Sequence, residues 1–190
     1  MPTPPFPPLR LLFWESTVRC NLACSHCRRI ETADEAARDD LTTAEFRRVL
    51  DSTASLGKPI IVFSGGEPLM RNDWEILAAH ARSLGLPTAL ATNGTLVDGP
   101  LAGRIAAAGF RRVSISLDGA DAATHDAFRR VQGSFERALA GIAHLRAAGM
   151  PMQVNATIAA HNVDQLDDLY ALVRKIDVEA LHLFLLVPVG

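Results

Sequence analysis

Six short apolar runs, separated by stretches of helical periodicity, constrain this chain more than any other feature. The runs are LLFWESTV (11–18), PIIVFS (59–64), PTALAT (87–92), RVSISL (112–117), MQVNATI (152–158) and ALHLFLLV (180–187). Each has the length of a buried strand and is too short to span a bilayer. Between them lie helix-start cues: Thr42 with Glu45, Asn72 with Glu75 and Asn162 with Gln165 share the capping-box spacing. Apolar positions then recur at helical period, as in Phe135, Ala138, Leu139 and Ile142, and again in Leu166, Leu169, Tyr170 and Val173. Gly57, Gly85, Gly109 and Gly149 each stand just before the next strand, where a helix can end in the left-handed conformation. A repeated order of strand, helix, glycine and strand calls for parallel strands joined by right-handed crossovers.

Two α/β architectures satisfy that order, an open doubly wound sheet and a curved partial barrel. Strand faces separate them. Ser114, Ser116 and Asp118 alternate onto one face, as do Gln153, Asn155 and Thr157. A polar face inside a parallel sheet is costly unless it lines a wet or ligand-filled cavity, which favours a barrel with a working interior.

At 190 residues with 48% apolar content, the chain has enough material for one domain with a substantial core. The expected division is a proline-rich arm over residues 1–10 and a core domain over 11–190. A net charge of −2 gives no electrostatic grip on nucleic acid. No membrane segment or signal peptide is read, so the chain is expected in the cytoplasm.

The only cysteines, Cys20, Cys24 and Cys27, fall within eight residues directly after the first strand. An odd, crowded set is a poor disulfide framework and a good metal site. Three thiolates suit an iron–sulfur cubane with one iron left open. Structural zinc would want a fourth ligand; His26 is wedged between two of the cysteines, and no second Cys or His pair follows.

Later turns add to this: SGGEPLMR after the second strand, TNGT (Thr92 to Thr95) after the third, then SISLDG, HDAFRR and GSF. Together with CNLACSHC they resemble the radical S-adenosylmethionine (SAM) superfamily. That resemblance implies a (β/α)6 partial TIM barrel, ending here after its sixth strand. It also implies a [4Fe–4S] cluster on Cys20, Cys24 and Cys27, and SAM on the open iron. Gly65, Gly66 and Glu67 would then meet the SAM amino group, the glycines by close backbone approach and Glu67 as a carboxylate for the ammonium. Ser116 and Arg129 would contact ribose or carboxylate, and His26 would lie over the adenine through its backbone. Thr92 and Asn155 complete the cofactor set, and Gln153 shares the face of Asn155.

Within the superfamily the chain looks like the maturases of haem and of peptide-derived cofactors. The implied activity is reductive cleavage of SAM to a 5'-deoxyadenosyl radical that abstracts a substrate hydrogen. The substrate would be a tetrapyrrole in haem biosynthesis, and an external donor such as ferredoxin or flavodoxin would supply the electron. No residue is assigned as a general base. Alternatives are a peptide-modifying maturase, a catalytically silent iron–sulfur module and a zinc-binding domain. Where such relatives read FRGVPGSF, this chain has FRRVQGSF, with Arg130 and Gln132 in place of a glycine and a proline. The relatives also continue past the sixth strand into a last helix and a cysteine-rich extension.

Overall fold

The structure, a computed structural model, describes residues 8–27 and 40–186; most of the proline-rich arm and the end of the sixth apolar run lie outside the described residues. All six expected strands are present: β1 (Leu11–Glu15), β2 (Ile60–Ser64), β3 (Thr88–Thr92), β4 (Arg112–Ser116), β5 (Met152–Ile158) and β6 (Ala180–Leu185). They form one parallel sheet in the order β1-β2-β3-β4-β5-β6. A doubly wound sheet must reverse its strand order; this one never does. Right-handed crossovers in one direction place every helix on the same face. The sheet therefore curls into a half-barrel with helices outside and a cavity against its bare concave face.

The helices are α1 (Thr43–Ser55), α2 (Trp74–Ser83), α3 (Gly99–Ala108), α4 (Ala122–Arg129), α5 (Ser134–Ala147) and α6 (Leu166–Lys175). Two of them, α4 and α5, share the connection from β4 to β5. The Asp126 carboxylate joins them, accepting the N–H groups of Gly133 at 2.6 Å and Phe135 at 2.8 Å where α5 begins.

Alternation along each strand builds the core on the helix side. Trp14, Ile61, Phe63, Leu90, Val113 and Ile115 point outward from the barrel onto Phe46, Leu77, Ile105 and Ile142. Trp14 stacks on Phe46 with centroids 3.4 Å apart and meets Phe63 edge-on at 5.2 Å. A second cluster, including Val154, Ala156 and Ile158 of β5, packs on Phe135, Leu169 and Val173. Tyr170, placed by period on that apolar stripe, is 54% exposed instead, because the stripe on α6 narrows to Leu169 and Val173.

Of the three capping cues, Thr42 with Glu45 forms a complete capping box. The other two do not. At α2 the N-cap is Asp73, whose carboxylate is taken by Thr43 and Arg71, and Glu75 turns to Arg104. Asn162 points inward to the carbonyls of Asp118 and Thr157, at 2.7 and 2.8 Å, because these buried acceptors need a donor more than the solvated turn does. Among the described residues, no helix is long and apolar enough to cross a membrane.

Candidate active site

The C-terminal ends of the strands carry the loops that the motifs occupy. The first, residues 16–27, is pinned from three directions. From β2, the sheet pairing continues past the strands: Ser16 N–H donates to Ser64 O at 2.8 Å, Gly66 N–H to Thr17 O at 2.6 Å and Glu67 N–H to Arg19 O at 2.8 Å. A Cβ on Gly65 would lie 2.7 Å from Thr17 O, and one on Gly66 would collide with the Arg19 carbonyl. The close approach that these glycines permit is thus to the chain's own cysteine loop. From β3, Asn93 Nδ2 donates to Asn21 Oδ1 at 2.9 Å, and Asn21 Nδ2 to Thr95 Oγ1 at 2.8 Å. From the end of α4, the carbonyls of Arg129 and Phe128 accept the N–H groups of Ala23 at 3.3 Å and Ser25 at 2.9 Å.

Held this way, Cys24 is buried and Cys20 and Cys27 are half-buried, all with free thiols. Two sulfurs already receive donors: Leu22 N–H lies 3.4 Å from Cys20 Sγ, and Arg129 Nη1 lies 3.4 Å from Cys24 Sγ. Burial pushes the Cys20 thiol above its usual range, against the pull of the Leu22 N–H, with Glu67 and the neighbouring thiols adding to the rise. Among the described residues no three His, Cys, Asp or Glu side chains converge as ligands of a single ion would. A cubane makes no such demand, since its thiolates sit on different irons.

Around this loop the other site residues have defined places. Glu67 is fully buried: Oε1 accepts from Thr92 Oγ1 at 2.8 Å and Leu69 N–H at 3.1 Å, and Oε2 from Asn93 N–H at 2.8 Å. Its carboxyl is pushed above the ordinary range by burial, against these three hydrogen bonds and the charge of Arg129. Glu67 and Thr92 therefore act first as a brace tying β3 to the GGE turn. Arg129, also buried, pairs its Nη2 with the Asp118 carboxylate. Asp118, expected on the cavity face beside Ser114 and Ser116, instead lies beyond the strand end, wholly buried, and accepts the Thr157 N–H at 2.7 Å. That turn is what allows it to reach the guanidinium.

His26 stacks on Phe128 with centroids 4.3 Å apart, and His161 stacks on the other side of Phe128 at 4.0 Å. Burial lowers the His26 pKa, and Arg129 adds to this. Ser116 and Asn155 stand opposite each other in the β4–β5 register, and Asn155 is followed on β6 by His182. The structure thus brings the three cysteines, His26, Gly65, Gly66, Glu67, Thr92 and Arg129 into one group, with Ser116 and Asn155 one row down the concave face. Sequence reasoning missed Asn21, Asn93, Phe128, His161 and His182, and misplaced Asp118. Only the Asn–Gly turn at 93–94 carried a local signal for any of them.

The donor set fits an iron–sulfur cluster: three thiols in one anchored loop, two with N–H or guanidinium donors aimed at sulfur, as ligating thiolates require. Two buried polar atoms beside them, His26 Nδ1 and Arg129 Nε, have no hydrogen-bond partner among the described residues. They leave donor and acceptor capacity for a polar ligand at the same place.

Comparison with known proteins gives a family and relatives for the chain. Residues 14–176 match the family model described as Radical SAM superfamily. An AdoMet-dependent heme synthase of Methanosarcina barkeri is 45% identical over 181 residues, covering 95% of this chain and 52% of the relative. A PqqA peptide cyclase of Xanthomonas euvesicatoria pv. vesicatoria is 36% identical over 176 residues, covering 93% and 47%. Streptococcus suis SuiB, in a crystal structure bound to S-adenosylmethionine, superposes with a TM-score of 0.79 at 20% identity, covering 96% of this chain and 42% of that one. The chain spans about half the length of these curated relatives.

Proposed function

From the premise that this chain belongs to the radical SAM superfamily, we propose that it binds a [4Fe–4S] cluster through Cys20, Cys24 and Cys27, and SAM beside it, to act on a tetrapyrrole. The observation that carries the proposal is the cysteine loop held by the GGE turn, the TNGT turn and the end of α4, all at the mouth of a parallel half-barrel, where such folds place their chemistry. When bound, the cluster supplies the electron that cleaves SAM to methionine and the 5'-deoxyadenosyl radical. The chain's own residues bind and orient.

In this reading the GGE turn, seated on the cysteine loop through Gly65 and Gly66 and braced by Glu67 and Thr92, meets the SAM ammonium. Arg129 offers its unpartnered Nε, and Ser116 and Asn155 offer polar atoms to the ribose and carboxylate. His26 covers the adenine through its backbone, its ring fixed by Phe128. Half-burial of the loop limits water at the cluster. No side chain is asked to act as a general base. Residues 11–190 form the unit that does this, in the reducing cytoplasm that free thiols favour, with a ferredoxin or flavodoxin as electron donor.

The tetrapyrrole reading is supported by the 45% identity to a heme synthase. A peptide substrate is the second reading, favoured by the 36% identity to a peptide cyclase. Anaerobic loading with iron and sulfide, reduction by dithionite and addition of SAM with an iron porphyrin tests the first. The expected result is 5'-deoxyadenosine together with loss of substrate hydrogen. A cluster that forms and cleaves SAM but leaves every porphyrin unchanged would transfer the assignment to peptides.

A further inference from the structure

The concave face of the sheet has two walls of opposite chemistry. They enclose a cavity of about 400 Å³, open on one side. Phe13, Val62, Ala89 and Ala91 give it an apolar wall from β1 to β3, and Ser114, Gln153, Asn155 and His182 give it a polar wall from β4 to β6. Phe13 is 66% exposed there, its ring open to a ligand in the cavity.

The polar wall has a definite sense. Gln153, 7% exposed, is fixed at three points: Arg112 Nη1 donates to its Oε1 at 3.5 Å, and its Nε2 meets Asn155 Oδ1 at 2.9 Å and His182 Nδ1 at 3.1 Å. Turning the amide over would set an N–H against the guanidinium, which favours this orientation. In that orientation Nδ1 of His182 accepts and Nε2 carries the ring N–H. Asn155, having given its oxygen to Gln153, likewise keeps its N–H groups for other partners. Among the described residues, those lining the cavity include Arg111 and Arg112 and no carboxylate; Glu179 pairs with Arg112 at 2.6 Å. A wall that turns the His182 and Asn155 N–H groups and two arginines to the cavity matches an acceptor-rich, anionic group.

We propose that His182 is a substrate-specificity residue. Its Nε2–H reads a carboxylate of the substrate while the substrate's flat apolar body lies against Phe13 and Val62, and Gln153 is the positioning residue that holds the imidazole in the donor tautomer. This rests on the tetrapyrrole reading above and narrows it to a tetrapyrrole bearing free carboxylates. His182 neighbours Asn155 on the side away from Ser116, so a carboxylate bound there lies beside the residues given to SAM.

The test is absorbance titration of the cluster-loaded chain with a metal-free porphyrin bearing free carboxylates, and with its methyl ester. Omitting the metal prevents imidazole ligation from imitating the effect. The wild-type chain should bind the acid about tenfold or more tightly than the ester, the size of one hydrogen bond to a charged group. His182→Phe should bind acid and ester with the same affinity, and His182→Gln, which keeps an N–H donor, should retain much of the preference. Equal binding of acid and ester by the wild type, or a preference undiminished in His182→Phe, would overturn the proposal and leave the tetrapyrrole reading standing. Loss of SAM affinity rather than porphyrin affinity in His182→Phe would assign the residue to the cofactor and overturn it too. Failure of the wild type to bind either porphyrin would remove the tetrapyrrole reading itself, and the proposal with it.

Discussion

The guanidinium of Arg129 stands between Cys24 and Asp118: Nη1 lies 3.4 Å from Cys24 Sγ, and Nη2 pairs with the buried carboxylate. Burial alone would ease the proton off the arginine, but the charge of Asp118 and the Cys24 thiol more than offset it and hold its pKa above the usual value. One salt bridge thereby fixes a positive charge against Cys24, a proposed cluster ligand.

That arrangement makes Asp118→Asn costly. The asparagine can still accept the Thr157 N–H, so the substitution mainly strands a buried guanidinium. Urea titration should show a loss of roughly 3 kcal/mol or more. Because donors to cluster sulfur shift its reduction potential, the loaded variant should also titrate at a potential different from wild type. An unchanged midpoint in both measurements would mean that Arg129 is not held by Asp118.

Gly66→Ala should prevent cluster loading, since the new methyl has no room beside the Arg19 carbonyl and must push the cysteine loop off the GGE turn. Gly103→Ala, within α3 and with nothing within 4 Å of its Cβ, serves as the control. It should stabilise the chain by about 0.5 to 1 kcal/mol and load iron normally. Iron content per chain after reconstitution reads the first variant, and a thermal melt the second.

Arg130 ends α4 with φ 54° and ψ 27°, in the left-handed region that glycine enters without cost. Here the departure from the FRGVPGSF pattern left the backbone in the conformation that a glycine would favour. Arg130→Gly should therefore be stabilising or neutral, by up to about 1 kcal/mol, and Arg130→Val destabilising by more than that. Denaturant midpoints at constant slope decide it.

His125 is buried, and its Nδ1 accepts the Asp118 N–H at 3.1 Å, so it folds in as the neutral ring. Burial, aided by Arg129, lowers its pKa from 6.5 to about 4. The unfolded chain takes up a proton near pH 6.5, and the folded chain does so only near pH 4. Stability is thus fully present above pH 6.5 and falls as pH drops towards 4, by roughly 3 kcal/mol from this one group. His125→Asn, which keeps an acceptor, should flatten stability between those two pH values. A slope as steep as wild type would assign the loss to other groups.

How much of this was legible in the sequence depended on range. The strands were, because period-two alternation and apolar runs are local; so was Thr42 with Glu45, a cap complete within four residues. Asn162 misled because its partners, the carbonyls of Asp118 and Thr157, come together only in the fold. Gly65 and Gly66 looked like a cradle for a ligand, and what fills the space is the backbone of residues 16–19. His182 left no trace at all, since its significance lies in a glutamine 29 residues earlier on the neighbouring strand.

The central claim is that Cys20, Cys24 and Cys27 hold a cluster with one iron open to SAM. The most direct measurement is electron paramagnetic resonance of the dithionite-reduced, reconstituted chain, with and without SAM, beside iron and sulfide analysis. The account predicts about four irons and four sulfides per chain and a reduced-cluster signal that SAM reshapes. One equivalent of zinc with no sulfide, or a cluster signal indifferent to SAM, would contradict it.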